Sequence, residues 1–205
     1  MYDGLPVRFA GIRGNAALLA QKFIGEILHE GCVAVDATAG NGYDTLFLAG
    51  AVGDSGKVFA FDIQRGALDA TAGRLKQAGR EKNVVLVNAG HEEMGRYITH
   101  PVDGFMFNLG YLPGGDHNKT TRPDTTIKAL HTALNLLKPG GRVSIVVYTA
   151  HQGAEDESDA VDQLAKNLDP GVFGVLRITF ANRSSSAPFL IFIERVNEEN
   201  ESLAP

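Results

Sequence analysis

Cysteine and tryptophan are scarce in this chain of 205 residues, which has one cysteine and no tryptophan. Because Cys32 is the single cysteine, the sequence excludes an intrachain disulfide and a metal cluster built on cysteines. Long apolar runs are missing too, since none approaches the roughly 18 residues of a membrane-spanning helix. Residues 1–10 lack the apolar core of a signal peptide. We therefore expect a cytoplasmic protein without a membrane contact.

An excess of positive charge is also absent. The formal net charge is −5 and the isoelectric point is about 5.7, so the chain has no global basic field for nucleic acid, and an RNA contact would need a local basic patch. The length and composition are those of one globular α/β domain. We expect this domain to span residues 1–205, with an N-terminal helix over 15–30, a core over 31–196 and a frayed acidic tail over 197–205.

Apolar runs and segments of helical period alternate along the core. Predicted strands lie at residues 33–36, 58–61, 84–87, 104–108, 143–148, 175–180 and 189–194, and predicted helices at 44–51, 67–78, 91–97, 124–137 and 158–168. A Pro-Gly-Gly segment at 139–141 is expected to end the helix over 124–137.

Repeated strand–helix units predict a parallel sheet with helices on both faces. The last two predicted strands have no helix between them, so we expect them to form an antiparallel hairpin. The predicted fold class is α/β: a Rossmann-like, three-layer αβα sandwich. Its seven-stranded sheet is mostly parallel, with one antiparallel strand in the C-terminal hairpin.

A strand, a glycine turn, a helix and a second strand follow one another early in the core. The first strand ends on Asp36, the turn contains Gly40 and Gly42, and the second strand ends on Asp62. Glycines let backbone N–H groups approach a ligand, and a carboxylate after the second strand accepts hydrogen bonds from ribose hydroxyls. The unit therefore predicts a nucleoside site, and an ordinary turn in an α/β domain is the alternative.

The charges of this unit indicate its ligand. The dinucleotide fingerprint G-x-G-x-x-G has its third glycine where this chain has Thr45. Asp36 and Asp44 would repel a pyrophosphate but suit S-adenosylmethionine, which carries a sulfonium and an ammonium group and no phosphate. The pattern D-x-x-x-G-x-G resembles motif I of the class I S-adenosylmethionine-dependent methyltransferases. The candidate cofactor-binding residues are Asp36, Thr38, Ala39, Gly40, Asn41, Gly42, Asp44, Thr45, Asp62, Ile63, Gln64, Gly90, His91 and Asn108, and no metal is expected.

A second motif follows the fourth predicted strand and reads N-L-G-Y-L-P-G-G-D from Asn108. It resembles the N-P-P-Y element of amino-group methyltransferases, with Leu-Gly in place of the two prolines. In that element the asparagine carbonyl and a following backbone carbonyl hold the amine N–H groups, so that the amine lone pair points at the methyl carbon. The candidate catalytic residues are Asn108, Leu109, Tyr111 for stacking on a base, and Asp116 or His117 as proton acceptor. A strand end with a Pro-Gly turn is the alternative.

Four further residues are candidates for substrate contact. Lys119 and Arg122 belong to a basic and polar run that could hold phosphates. His151 follows the fifth predicted strand, and Asn182 lies in the loop between the last two strands. Each of these residues could equally be an ordinary solvated loop residue.

Four stretches together resemble one bacterial family: V-D-A-T-A-G-N-G-Y-D-T-L-F-L-A, the N-L-G-Y-L-P-G-G-D element, the run Lys119–Thr126 and the terminal A-P-F-L-I. This family was long labelled "putative rRNA methylase", and its members are now assigned as MnmM, which methylates the aminomethyl group of a thiolated wobble uridine in tRNA. The resemblance covers roughly residues 15 to 196. It implies S-adenosylmethionine as donor, S-adenosylhomocysteine as product and the tRNA anticodon stem-loop as partner.

Other functions stay open on the sequence. They are an rRNA methyltransferase, a small-molecule N-methyltransferase, a nicotinamide-dependent reductase and a nucleoside-binding regulator without catalysis. Thr45 and the final hairpin argue against the reductase, and Asn108 argues against the regulator. The sequence also leaves a homodimer open.

Overall fold

The computed structural model describes residues 15–110, 120–149, 153–184 and 186–196. Its strands are β1 (Val33–Asp36), β2 (Lys57–Phe61), β3 (Val84–Val87), β4 (Val102–Leu109), β5 (Leu137–Val147), β6 (Phe173–Ile178) and β7 (Phe189–Arg195). Its helices are α1 (Ala16–Gly25), α2 (Tyr43–Ala51), α3 (Arg65–Ala78), α4 (Pro123–Leu136) and α5 (Ala154–Lys166), with a 3₁₀ helix at His91–Arg96 between β3 and β4.

The strands form one sheet in the order β3-β2-β1-β4-β5-β7-β6. Strand β7 runs antiparallel to both of its neighbours, and the other adjacent pairs are parallel. This confirms the predicted seven-stranded sheet with one reversed strand. The chain steps outward from β1 to β3 and then returns to the other side of β1 as β4. The loops after β1 and β4 therefore diverge, and such a switch point opens a crevice at the carboxyl ends of the strands.

Helices cover both faces of this sheet, as the αβα prediction requires. On one face, Ile24 of α1, Leu48 of α2 and Leu75 of α3 belong to one buried apolar cluster. On the other face, Leu130 of α4 and Val161 of α5 belong to a second cluster. The central strands β4 and β5 are apolar on both sides, which is what a doubly covered parallel sheet requires. Within the described residues, no helix is long and apolar enough to cross a membrane.

Several element boundaries differ from the sequence prediction, and three of the differences have a clear physical reason. Helix α1 ends at Gly25 rather than near residue 30. Leu28 still packs against the apolar cluster on that face, although it lies beyond the helix. The periodicity overshoots the helix because an apolar residue can be buried from a turn as well as from a helix.

The Pro-Gly-Gly segment at 139–141 lies inside β5 instead of ending α4. Between the pairs Val102–Leu137 and Gly104–Arg142 the register shifts, so these residues form an irregularity in the strand. Gly140 adopts φ 74° there, a conformation that glycine takes without strain.

Helix α5 begins at Ala154, four residues before the predicted start at 158. Its buried face consists of Ala154, Glu157, Val161 and Ala165. The first turn was missed because Glu157 occupies a core position where the helical pattern expects an apolar residue.

Candidate active site

The glycine turn lies at the carboxyl end of β1, at the switch point of the sheet. Its backbone is tied to both neighbouring strands, because Ala37 N donates to Met106 O at 2.9 Å and Ala39 N donates to Phe61 O at 2.8 Å. The residues predicted to bind a cofactor from this turn are therefore held between the ends of β4 and β2.

Asp36 organises the turn from below. Its Oδ1 accepts the Thr38 N–H at 3.1 Å, and its Oδ2 accepts the Thr45 hydroxyl at 2.6 Å. The Asp36 side chain is fully buried. The threonine that replaces the third glycine of the dinucleotide fingerprint thus serves this carboxylate, which explains why Asp36 and Thr45 occur together.

Gly40 and Gly42 have positive φ angles of 51° and 78°. A Cβ atom on Gly42 would lie 2.8 Å from Thr71 Oγ1 and 2.9 Å from Thr71 Cα, so a side chain there would displace α3. The Thr71 hydroxyl also donates to Gly40 O at 3.0 Å. Gly42 therefore permits α3 to pack closely on the turn. The backbone oxygen of Asn41 accepts a hydrogen bond from Arg74 Nε of the same helix at 2.8 Å.

Asp44 joins three elements at the centre of the site. Its Oδ1 accepts Gln21 Nε2 from α1, and its Oδ2 accepts Asn108 Nδ2 from β4, both at 2.6 Å. The backbone N–H of Asn108 donates to Thr38 Oγ1 at 2.8 Å. These bonds fix the amide of Asn108 with its nitrogen toward Asp44, which leaves its oxygen Oδ1 as the group that can accept a hydrogen bond from a ligand.

The two acids are electrostatically unusual. Burial chiefly, together with the nearby charge of Asp44, raises the pKa of Asp36 to about 7, against the hydrogen bonds from Thr45 and Thr38. Burial also raises the pKa of Asp44, opposed by the hydrogen bonds from Gln21 and Asn108.

The hydrogen-bond partners of both acids are neutral groups. A cation placed beside them would relieve the cost of burying two negative charges, whereas a phosphate would increase it. The charge of the site therefore fits a cationic ligand.

Asp62 follows β2 and is partly exposed at the same edge. Its Oδ2 accepts Gly40 N at 2.9 Å and its Oδ1 accepts Gln64 N at 2.8 Å. Asn88 Nδ2 donates to the backbone oxygens of Asp62 and Ile63, at 2.9 and 3.1 Å. Each carboxylate oxygen keeps a second lone pair, so Asp62 is held in place and can still accept ribose hydroxyls.

His91 and Gly90 lie where the chain leaves β3. His91 is 7% exposed, its ring packs edge-on against Phe107, and burial lowers the pKa of the imidazole. Its Nε2 is buried without a partner among the described residues. His91 is therefore a buried, neutral side chain that packs against β4.

The two predicted amine acceptors are placed differently. Leu109 is fully buried and its carbonyl already accepts the Tyr148 N–H at 3.1 Å, whereas Asn108 is partly exposed. The geometry favours Asn108 over Leu109 as the acceptor. Tyr148 follows β5. Burial chiefly, and then the nearby charge of Asp44, raises the pKa of its phenol.

Three polar residues of this site were not predicted from the sequence: Gln21, Asn88 and Tyr148. Gln21 and Asn88 act through hydrogen bonds that span 23 or more positions of sequence, and no local pattern marks them. Tyr148 immediately follows an apolar strand at the edge where ligands bind, and this position was the signal that could have identified it.

The predicted substrate contacts are only partly described. Arg122 is exposed at the start of α4, 3.7 Å from Asp124, and Asn182 is exposed in the loop between β6 and β7. Five further candidates, Tyr111, Asp116, His117, Lys119 and His151, lie outside the described residues. Among the described residues, no group of three or more His, Cys, Asp or Glu side chains could hold a metal ion.

The sequence and the fold match known proteins over most of the chain. The model of the family described as "Putative rRNA methylase" matches residues 58–194. The curated protein "tRNA (mnm(5)s(2)U34)-methyltransferase, chloroplastic" of Arabidopsis thaliana is 37% identical over 191 residues, which covers 88% of this chain and 69% of that protein.

Two crystal structures are similar in both sequence and fold. One is described as a putative rRNA methylase from Clostridium thermocellum, with a TM-score of 0.86 and 41% identity over 88% of this chain and 97% of that chain. The other is a putative methyltransferase from Streptococcus mutans in complex with SAH, with a TM-score of 0.81 and 38% identity over 88% of this chain and 98% of that chain.

Proposed function

The chain belongs to the "Putative rRNA methylase" family, and from this premise we propose that it is an S-adenosylmethionine-dependent methyltransferase that N-methylates 5-aminomethyl-2-thiouridine at the wobble position of tRNA. Its similarity to the Arabidopsis wobble-uridine enzyme supports the substrate. The S. mutans relative was solved with SAH, which supports the cofactor.

One observation carries this proposal: Asn108 is clamped by Asp44 at the switch point. The amide nitrogen donates to the carboxylate at 2.6 Å, so the oxygen is presented at the carboxyl end of β4. A neutral primary amine has N–H groups that such an oxygen can accept, and this leaves its lone pair free to attack. An asparagine suits this task because it does not titrate.

The residues around the glycine turn fit S-adenosylmethionine. Asp62 would accept the ribose hydroxyls, and the exposed Ile63 beside it would contact the adenine. Asp44 and Asp36 provide negative potential next to a cation, and the turn at Gly40 and Gly42 lets the backbone come close. When bound, this cofactor supplies an electrophilic methyl group on a positively charged sulfur.

The protein must also keep the amine unprotonated. An alkylamine has an unperturbed pKa near that of lysine, ~10.4, so most of it enters as an ammonium ion. A positive charge on the cofactor and partial burial both favour the neutral amine. Asn108 then holds an N–H group, while Asp116 or His117 remains our prediction for the proton acceptor.

We infer an RNA partner that is held by local basic groups rather than by an overall positive charge. The net charge of −5 gives no general attraction for RNA, so binding would depend on local groups such as Arg122 and Lys119. A wobble base is unpaired and is easier to extrude than a base inside a duplex. We also propose that residues 1–205 form one methyltransferase domain that works in the cytoplasm, and we leave a homodimer as a prediction.

Methylation of defined RNA would test the function. We expect the purified protein with S-adenosylmethionine to convert aminomethyl-thiouridine in tRNA from a strain lacking this gene, as followed by nucleoside mass spectrometry. A parallel purification from cells that do not express the protein serves as the control for contaminating activity. A methylated nucleoside in rRNA but not in tRNA would contradict the wobble assignment and favour the activity in the family's description, and no transfer to any RNA would contradict both.

A further inference from the structure

Glu157 is a buried carboxylate that the chemistry above does not use. It lies in the first turn of α5 and is 1% exposed. Its Oε2 accepts the Thr121 hydroxyl and its Oε1 accepts the Thr126 hydroxyl, both at 2.6 Å. A carboxylate in this position normally costs stability, and here two hydroxyl donors and the N-terminal end of a helix compensate it.

The Thr121 hydroxyl connects this carboxylate to Gly110, the third residue of the second motif. Thr121 Oγ1 accepts the Gly110 N–H at 2.9 Å, and the Thr121 N–H donates to Gly110 O at 3.0 Å. Gly110 directly precedes residues 111–119, and Thr121 lies just after them. The two residues therefore tie the end of β4 to the residues that precede α4.

Glu157 determines the direction of the hydrogen bonds at the Thr121 hydroxyl. Because a carboxylate only accepts hydrogen bonds, the Thr121 hydroxyl must direct its proton at Glu157 and its lone pair at Gly110. Thr126, fully buried in the first turn of α4, gives Glu157 its second donor and ties the start of α4 to the start of α5.

We propose that Glu157 is a positioning residue for methyl transfer, acting through Thr121 and Gly110 on Asn108 at the end of β4. The proposal rests on the proposed function, in which Asn108 holds the amine. Glu157 makes no contact with Asp36, Asp44 or Asp62 among its described hydrogen bonds. Its loss should therefore impair turnover and not cofactor binding.

The conservative variant Glu157→Gln is the sharpest probe. A glutamine keeps the size of the side chain but removes its negative charge, so the hydrogen bond from the Thr121 hydroxyl changes from a charge-assisted bond to a weaker neutral one. The weaker bond loosens Gly110 without creating a cavity. We expect kcat to fall ~10-fold to ~100-fold, as for a small misplacement of a positioning group, with the Kd for S-adenosylmethionine unchanged within about twofold.

Glu155→Gln is the matched control. Glu155 lies in the same turn of α5, has the same charge and is exposed, so it reports any general effect of removing an acid from this helix end. We expect kcat to match that of the unmodified protein. Equal losses of kcat in the Glu155 and Glu157 variants would overturn the proposal.

A pair of threonine variants separates positioning from stability. Thr121→Val and Thr126→Val each remove one hydroxyl from Glu157, but only Thr121 touches Gly110. We expect both variants to lower the melting temperature and only Thr121→Val to reproduce the loss of kcat. A loss of kcat that follows the melting temperature equally in both variants would show that Glu157 is merely structural.

Amide hydrogen exchange gives a readout that does not depend on methyl transfer. The Gly110 and Thr121 amides should exchange faster in Glu157→Gln than in Glu155→Gln, because the hydrogen bonds between these two residues are weakened. Unchanged exchange would refute the positioning of Gly110 by Glu157 even if kcat fell. A wild-type protein that binds the cofactor but methylates no RNA would contradict the proposed function instead. The exchange of these two amides would still decide whether Glu157 holds Gly110 in place.

Discussion

Two groups of buried carboxylates flank the end of β4, and the protein satisfies them differently. On the β1 side, Asp36 and Asp44 lie close together, and burial and mutual repulsion raise the pKa of Asp36 to about 7. On the α5 side, Glu157 receives two hydroxyl hydrogen bonds at a helix N-terminus, and its charge also acts on the buried imidazole of His91. The neutral partners of the first group do not fully compensate its negative charge. The negative charge of the second is compensated by the hydroxyl donors and the helix N-terminus.

This difference assigns the two groups different tasks. An unbalanced pair of acids is stabilised when a cation binds beside it, so we expect the Asp36–Asp44 pair to take part in ligand binding. A balanced carboxylate gains nothing from a ligand, so Glu157 belongs to the framework of the site. Changes on the β1 side should therefore alter cofactor affinity, and changes on the α5 side should alter turnover alone.

Asn108 provides the most severe test, because it lies between the two groups. Its amide contacts Asp44, and two positions later Gly110 contacts Thr121. We expect Asn108→Ala to lower kcat about 100-fold or more, since the amine loses the group that orients it. The Kd for S-adenosylmethionine should change by less than about fivefold, because Asp44 keeps its bond to Gln21. Single-turnover methyl transfer and calorimetry would measure the two effects, and normal turnover in this variant would remove Asn108 from the reaction.

Asp62 tests the cofactor side without touching either acid of the pair. Asp62→Ala removes the acceptor for ribose hydroxyls and also frees the Gly40 and Gln64 N–H groups. Hydrogen bonds to a charged group contribute about 1.5–3 kcal/mol, so we expect the cofactor Kd to rise ~10-fold to ~150-fold. The exposed Asp69, which pairs with Arg65 at the surface of α3, is the control. An Asp62→Ala variant with the same calorimetric Kd as Asp69→Ala would show that the ribose lies elsewhere.

The sequence predicted the parts of the site that depend on local pattern. The strand ends at Asp36 and Asp62 and the turn at Gly40 and Gly42 are marked by short motifs, and the order of the elements determines the sheet. Gln21 and Glu157 were not predicted, because each acts through side-chain contacts between elements that are distant in sequence. At the positions of these two residues in α1 and α5, a polar side chain reads as part of a solvated face.

The pH dependence of cofactor binding provides the next test of the comparison. A cation favours the ionised form of Asp36, so binding should release a proton and tighten as pH rises through about 7. We expect the affinity for S-adenosylmethionine relative to S-adenosylhomocysteine to increase up to about tenfold between roughly pH 6 and 8. Both ligands carry the same amino and carboxylate groups, so their ratio isolates the sulfonium charge. A ratio that is constant with pH would mean that the acids do not sense that charge.

The raised pKa of Asp36 also makes the stability of the ligand-free protein depend on pH. Asp36 holds its proton more tightly in the folded protein than in the unfolded chain, where the ordinary pKa of 3.8 applies. Its contribution to stability is therefore fully present below that value and is lost as pH rises toward about 7. Denaturant unfolding at several pH values, compared between the native protein and Asp36→Asn, would measure it. We expect the pH dependence of unfolding to be weaker in the variant over this range, and an identical dependence would exclude Asp36 as its source.

Substitution of Gln21 should have the smallest effect on the site. It distinguishes an electrostatic role of this residue from a packing role. Its amide donates to Asp44 at 2.6 Å and holds the pKa of that acid below the value that burial alone would give. Gln21→Leu keeps the size of the side chain but removes the donor, at a cost of about 1 kcal/mol, so we expect the cofactor Kd to rise about fivefold near neutral pH.

Because the pKa of Asp44 would then move further upward, the deficit of Gln21→Leu should shrink at higher pH, where Asp44 is ionised in any case. A deficit that stays constant with pH would show that Gln21 acts by packing α1 against the site. Glu157→Gln should show no such pH-dependent deficit in cofactor binding, because Glu157 lies on the balanced side of β4. A matching deficit in that variant would mean that the two groups of carboxylates are not separate.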